Sequence, residues 1–131
     1  MHTFLGVPYA APPVGELRLA SPRAAAGWQG ERDATKPGNA PIQTLGGAAA
    51  WIYEGADPQG EDCLYLNVWT PALTGSRPVM VWLYGGAWRG GHASVAAADG
   101  RNLARIGDLV VVAMNYRLGA HGWLAHPALI G

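Results

Sequence analysis

A chain of 131 residues with nine Lys plus Arg against nine Asp plus Glu has no formal net charge, and half of its residues are hydrophobic. That excludes a disordered chain, which needs low hydrophobicity and high net charge, and it excludes the basic excess of a nucleic-acid binder. Its 19 glycines and 10 prolines exceed average usage, roughly 12% for the two together, so many turns are expected and a helical bundle is excluded.

Residues 1–60 are rich in Pro, Gly and Ala, and 11–15, 36–39 and 56–60 have the composition of turns or coil. Residues 3–7 (TFLGV) predict one short strand. Phe4, Leu17, Trp28, Ile42 and Trp51 make the segment too apolar for a solvated tail, so it is expected to pack on the rest of the chain. From residue 61 the pattern becomes regular. Residues 64–70 (LYLNVWT) alternate over strand length, and 78–84 (PVMVWLY) form the near-continuous apolar run of a strand buried on both faces. The turn-rich link 71–77 fits an antiparallel pairing of these two strands. Residues 99–106 predict a short helix, with Asp99 as its cap, Leu103 and Ile106 on one face, and Gly107 as its left-handed end. A third strand at 109–115 (LVVVAMN) completes a strand–helix–strand crossover and is therefore parallel to 78–84. Trp69 and Trp82, on strands, are expected in the core. The whole predicts an α/β class with a mixed, mainly parallel sheet: a strand–strand–helix–strand core over 61–131 beneath a coil-rich packing segment over 1–60.

One cysteine, Cys63, excludes an intrachain disulfide. The longest apolar stretch, 108–115, is far too short to span a bilayer. No basic region followed by an apolar run opens the chain, so no signal peptide is expected. No His/Cys/Asp/Glu set has metal-ligand spacing. The glycines at 85, 86, 90 and 91 match neither a dinucleotide-binding turn nor a Walker A loop. Neither a metal nor a cofactor is expected.

In α/β sheets, sites form at the C-terminal ends of strands, which points to the loop after Tyr84. There a buried strand runs into Gly85, Gly86, Ala87 and Trp88. Minimal side chains let backbone N–H groups approach a ligand closely, and successive exposed N–H groups are what a developing oxyanion needs. A tight turn with no chemistry fits the local pattern equally well.

Four segments, in order, carry a resemblance that separates these readings: residues 4–18 (FLGVPYAAPPVGELR), 61–69 (EDCLYLNVW), 79–87 (VMVWLYGGA) and 115–119 (NYRLG). Together the chain resembles the type B carboxylesterase family, which includes cholinesterases and para-nitrobenzyl esterases. The resemblance implies a partial α/β-hydrolase fold, with residues 1–131 as the N-terminal part of a single domain. By motif, it makes Gly86 and Ala87 the backbone donors of an oxyanion hole, Gly85 the residue that gives the loop room, and Trp88 a wall of the acyl pocket. It also implies an ion pair between Arg18 and Glu61, a free buried thiol at Cys63, and an acidic partner for Arg117 beyond Gly131. Trp28 resembles a packing position of the family. Trp51 and Tyr53 lie near a position where choline-binding relatives carry Trp, and no cation site is carried over.

The nucleophile elbow Gly-x-Ser-x-Gly is absent, since Ser21, Ser76 and Ser94 all lie outside that pattern. His2, His92, His121 and His126 do not match the catalytic histidine and read as surface or turn residues, His92 being the one placed to line the site entrance. No nucleophile, acid or base is therefore assigned. The implied function is the N-terminal portion of a serine carboxylesterase acting on a small-molecule ester, inactive by itself. The alternative is a cholinesterase-like protein-binding module or pseudoenzyme fragment. An unpaired edge along 109–115 is expected to make the chain alone self-associate. The excess of Arg over Lys fits a G+C-rich bacterial gene.

Overall fold

A computed structural model describes residues 1–44, 54–56 and 58–129. In chain order the described elements are β1 (His2–Pro8), β2 (Ala40–Pro41), β3 (Gln59–Gly60), β4 (Tyr65–Thr70), β5 (Val79–Trp82), α1 (Arg101–Gly107), β6 (Val110–Met114) and α2 (Gly119–Trp123). Four strands form one sheet in the order β1–β4–β6–β5, while β2 and β3 make a separate two-residue parallel bridge.

The sheet is mixed. β5 and β6 are parallel, in register from Val79 opposite Val110 to Trp82 opposite Ala113, as the crossover through α1 requires. The β1–β4 and β4–β6 ladders are antiparallel. Two corrections follow. The sheet is not mainly parallel within this span, because only one crossover falls in it. The strands at 65–70 and 79–82 run oppositely but are not neighbours, because β6 inserts between them.

That insertion also moves the open edge. β6 is an interior strand, so the edge predicted at 109–115 belongs instead to β5. All four β5 residues are exposed, and Trp82 is 42% accessible rather than a core residue. An apolar run signals a strand whose environment is buried, but the covering neighbours need not come from the same span.

Packing centres on the other side of β6. Trp69, Val111 and Ala113 meet Val95, Ala98 and Ala104 in one buried cluster. Ala104 is the α1 residue that faces the sheet; Leu103 and Ile106 face outward, Ile106 at 76% accessibility. The helix also differs at its ends. Asp99 accepts a bond from the Arg101 N–H and pairs with its guanidinium, while Gly100 stands at the cap position. The left-handed residue at the far end is Asp108 (φ 47°), one position beyond Gly107.

The N-terminal segment is tied to the core at several points. Tyr9 Oη donates to the Asn115 carbonyl at 2.6 Å, and Asn115 Nδ2 donates to the Asn39 carbonyl at 3.1 Å. Tyr9 also packs against a small buried cluster of Ala10, Cys63 and Leu64. Among the described residues no helix is long and apolar enough to cross a membrane.

Candidate functional site

The loop after β5 begins on Tyr84, which is 5% accessible. Its ring stacks on Tyr116 at 4.4 Å between centroids. Tyr116 Oη donates to the Tyr84 carbonyl at 2.7 Å, and Tyr84 Oη donates back to the Tyr116 carbonyl at 3.1 Å. Gly86 then takes φ 141°, where a Cβ would lie 1.9 Å from the Gly90 carbonyl oxygen; no other residue fits. The Gly86 carbonyl accepts bonds from both the Arg89 and Gly90 N–H groups, which closes the turn. Ala87 and Trp88 follow at φ 53° and 59°. Two consecutive non-glycine residues in the left-handed region are sterically costly, roughly 1–2 kcal/mol each, and such strain concentrates at functional sites.

The strained turn has a consequence for the donors. Among the described residues, no hydrogen bond uses the N–H of Gly85, Gly86, Ala87 or Trp88. Gly86 is half-buried and Ala87 exposed. Unused N–H groups on a turn are free to meet a ligand, and such donors serve negative charge best where no reorganisation is needed when the charge appears.

The carboxylesterase family model matches residues 1–128. This chain belongs to the carboxylesterase family. It is 47% identical to the fumonisin B1 esterase of Sphingopyxis macrogoltabida over 98% of this chain and 24% of that protein. It is equally identical to the phenmedipham hydrolase of Pseudarthrobacter oxydans over 95% of this chain and 26% of that one. Among solved structures, a thermophilic PNB esterase superposes with a TM-score of 0.88 at 39% identity, covering 97% of this chain and 26% of its own. The fold is that of an α/β-hydrolase in part, and the chain spans about a quarter of the length of these carboxylesterase relatives.

The remaining residues singled out in this carboxylesterase segment fall into two places. Arg18 and Glu61 meet in a two-bond fork, Nε to Oε1 at 2.5 Å and Nη2 to Oε2 at 2.8 Å. The fork holds the Glu61 carboxyl below its ordinary pKa, and His121 Nε2 lies 3.4 Å from the same Oε1. Trp88, 57% accessible, leans on Trp123 at 5.4 Å, and Gly85 lies exposed at the mouth of the turn. Arg117 lines the same small cavity as Arg18 and Glu61, and its carbonyl accepts the Trp123 indole N–H at 2.9 Å. Among the described residues its Nη1 is buried without a hydrogen-bond partner.

His92 is not an entrance residue. It is 1% accessible, its Nε2 lies 2.8 Å from the Glu54 carbonyl, and its Nδ1 accepts the Ser94 N–H at 3.3 Å. Burial lowers its pKa. The contact is to the Ser94 backbone; the Ser94 hydroxyl meets Asn67 Nδ2 instead, so no serine–histidine pair forms. Burial, with Asp62 nearby, raises Cys63 to about 12, which keeps the thiol protonated. Trp28 is half exposed beneath Arg32. Trp51 and Tyr53 lie outside the described residues.

Several site residues escaped the sequence reading. Gln43 grips the far end of the loop at Gly91. Asn67 and Asn115 hold the backbone of Ala93 from opposite sides. The Gly119 N–H, at the start of α2, donates to the Trp88 carbonyl at 2.7 Å. Only Asn67, inside β4, and Asn115, at the end of the apolar run of β6, left a sequence signal, since polar residues in apolar runs need buried partners.

Proposed function

We propose that the chain is the N-terminal portion of a single α/β-hydrolase domain, a serine carboxylesterase that hydrolyses carboxylic esters by acyl transfer. Its contribution is the oxyanion hole. A serine supplied from outside these 131 residues attacks the ester carbonyl, a histidine moves the proton, and an acid orients the histidine. The carbonyl oxygen, gaining charge, accepts bonds from the Gly86 and Ala87 N–H groups. Trp88 walls the acyl side, and Gly85 leaves room for the carbonyl to enter. Arg18 and Glu61 pin the N-terminal segment beside the start of β4.

The observation that carries this reading is the unused, left-handed donor turn at the C-terminal end of β5. A protein-binding module of the same fold has no need to hold Ala87 and Trp88 in strained backbone. The test is a chimera in which this chain replaces the matching quarter of the thermophilic PNB esterase. The chimera should hydrolyse para-nitrophenyl esters and be silenced by a serine-directed organophosphate. The 131-residue chain alone should do neither. Organophosphate-sensitive hydrolysis by the chain alone, or a folded chimera without activity, would overturn the proposal.

A further inference from the structure

We infer that Tyr116 is a positioning residue for the oxyanion loop, acting through the Tyr84 carbonyl. The inference rests on the esterase reading above and names a residue that reading does not use. The carbonyl of Tyr84 and the N–H of Gly85 belong to one planar peptide unit, so whatever orients the first orients the second. Apart from its chain neighbours, nothing packs within 4 Å of where a Gly85 Cβ would stand, so side-chain packing at Gly85 does not fix this peptide. The bond from Tyr116 Oη at 2.7 Å does.

The donor turn is thus held at both ends by one short segment. Tyr116 fixes its entry, and the Gly119 N–H fixes its exit at the Trp88 carbonyl, 2.7 Å away. The two donors lie between these anchors. Ala87 and Trp88, between these anchors, hold left-handed φ values of 53° and 59° that cost strain. Behind the turn, Gly91 lets the Tyr84 ring settle, since a Cβ there would come within 2.5 Å of it. Burial raises both phenols, so both hydroxyls stay protonated donors at neutral pH.

Misaligned donors weaken the transition state more than the bound ester, because the charge they meet exists only there. Tyr116→Phe keeps the ring and its stack and removes only the hydroxyl. In the chimera, kcat per organophosphate-titrated site should fall about tenfold, less than the 10²–10³ typical of losing a whole donor. KM should stay within about twofold, while affinity for a trifluoromethyl ketone that mimics the oxyanion should fall with kcat. A merely structural role would lower the titrated fraction and leave kcat per site unchanged, and that result overturns the inference while leaving the esterase reading intact. A folded chimera that is inactive with the natural Tyr116 overturns both. Should the variant chimera not fold, amide exchange in the 131-residue chain decides: Tyr116→Phe must speed exchange at the hydrogen-bonded amides of Arg89, Gly90 and Gly119 relative to α1, and unchanged exchange overturns the inference.

Discussion

Gln43 pairs with Gly91 as one strand residue pairs with another. The Gly91 N–H donates to Oε1 at 2.7 Å, and Nε2 returns a bond to the Gly91 carbonyl at 3.0 Å. The Gln43 N–H is itself held by Gln59 Oε1 at 2.8 Å, and Nε2 also reaches the Pro41 carbonyl. One carboxamide thus closes the glycine-rich loop onto the N-terminal segment. Gly91 is buried, so water cannot replace what Gln43 supplies. Gln43→Leu strands a buried donor and acceptor, at roughly 1–3 kcal/mol per group. Urea unfolding of the chimera should show a loss of about 2–6 kcal/mol; a change under about half a kcal/mol would mean that the loop closes without it.

Glu61 predicts a pH dependence. The bonds from Arg18 lower its carboxyl pKa below the ordinary 4.5, with desolvation opposing and the charges of Arg18 and His121 assisting. A carboxylate depressed in the folded state stabilises fully above the unfolded pKa and progressively less as pH falls through the folded one. The urea midpoint should therefore decline below about pH 4.5, and Glu61→Gln should remove that part of the slope. Parallel midpoint curves for the two proteins down to pH 3 would deny the ion pair any role in stability.

His92 acts in a different window. Burial lowers its pKa, partly opposed by the bond to the Glu54 carbonyl. Above the ordinary value of 6.5 the ring is neutral in both states and contributes no slope. As pH falls below 6.5 the unfolded chain takes up the proton first, so stability falls until the folded pKa is passed. His92→Gln should flatten the urea midpoints between pH 7 and 5. An imidazole that titrates at its ordinary pKa by NMR would contradict the buried, neutral assignment.

The open β5 edge predicts self-association of the 131-residue chain. Val79 and Val81 share one face, Met80 and Trp82 the other, and Leu83 extends the apolar strip; all are exposed. Unpaired strand edges of this kind template further pairing, and a charged residue on them suppresses it. Light scattering should find oligomers, and Val79→Lys with Val81→Lys should shift them toward monomer. A monodisperse monomer with the natural sequence would refute the edge as an association site.

What was readable in the sequence, and what was not, divides along sequence distance. The strands at 65–70 and 110–114 follow from local alternation and apolar runs, and the loop after Tyr84 follows from its run of small residues. All of these are short-range marks. Gln43 reaches Gly91 across 48 residues and Tyr116 reaches Tyr84 across 32, and no local pattern encodes such meetings. The exposure of β5 departs from its sequence for a related reason: an apolar run reports that a strand will be covered, not which part of a chain covers it. Asp99 accepts a backbone N–H of the first helical turn as its type suggests, that of Arg101, but from one residue outside the cap position, which Gly100 takes.

Gly86 gives the sharpest test of the donor turn. At φ 141° it adopts a backbone that other residues rarely take, and an added Cβ would fall 1.9 Å from the Gly90 carbonyl oxygen. That oxygen is backbone, so it cannot swing aside as a flexible side chain would. Gly86→Ala must therefore open the turn whose carbonyl receives the Arg89 and Gly90 N–H groups. Opening it rotates the Gly86 and Ala87 N–H groups away from any common target. The expected loss in kcat is on the order of 10²–10³, the effect of removing an oxyanion donor, with KM little altered. The fold should survive, because Gly86 lies outside the buried cluster around Trp69 and Val111. Steady-state kinetics on the chimera with active-site titration measures this; a variant retaining more than about a tenth of the parent kcat would show that the donors lie elsewhere.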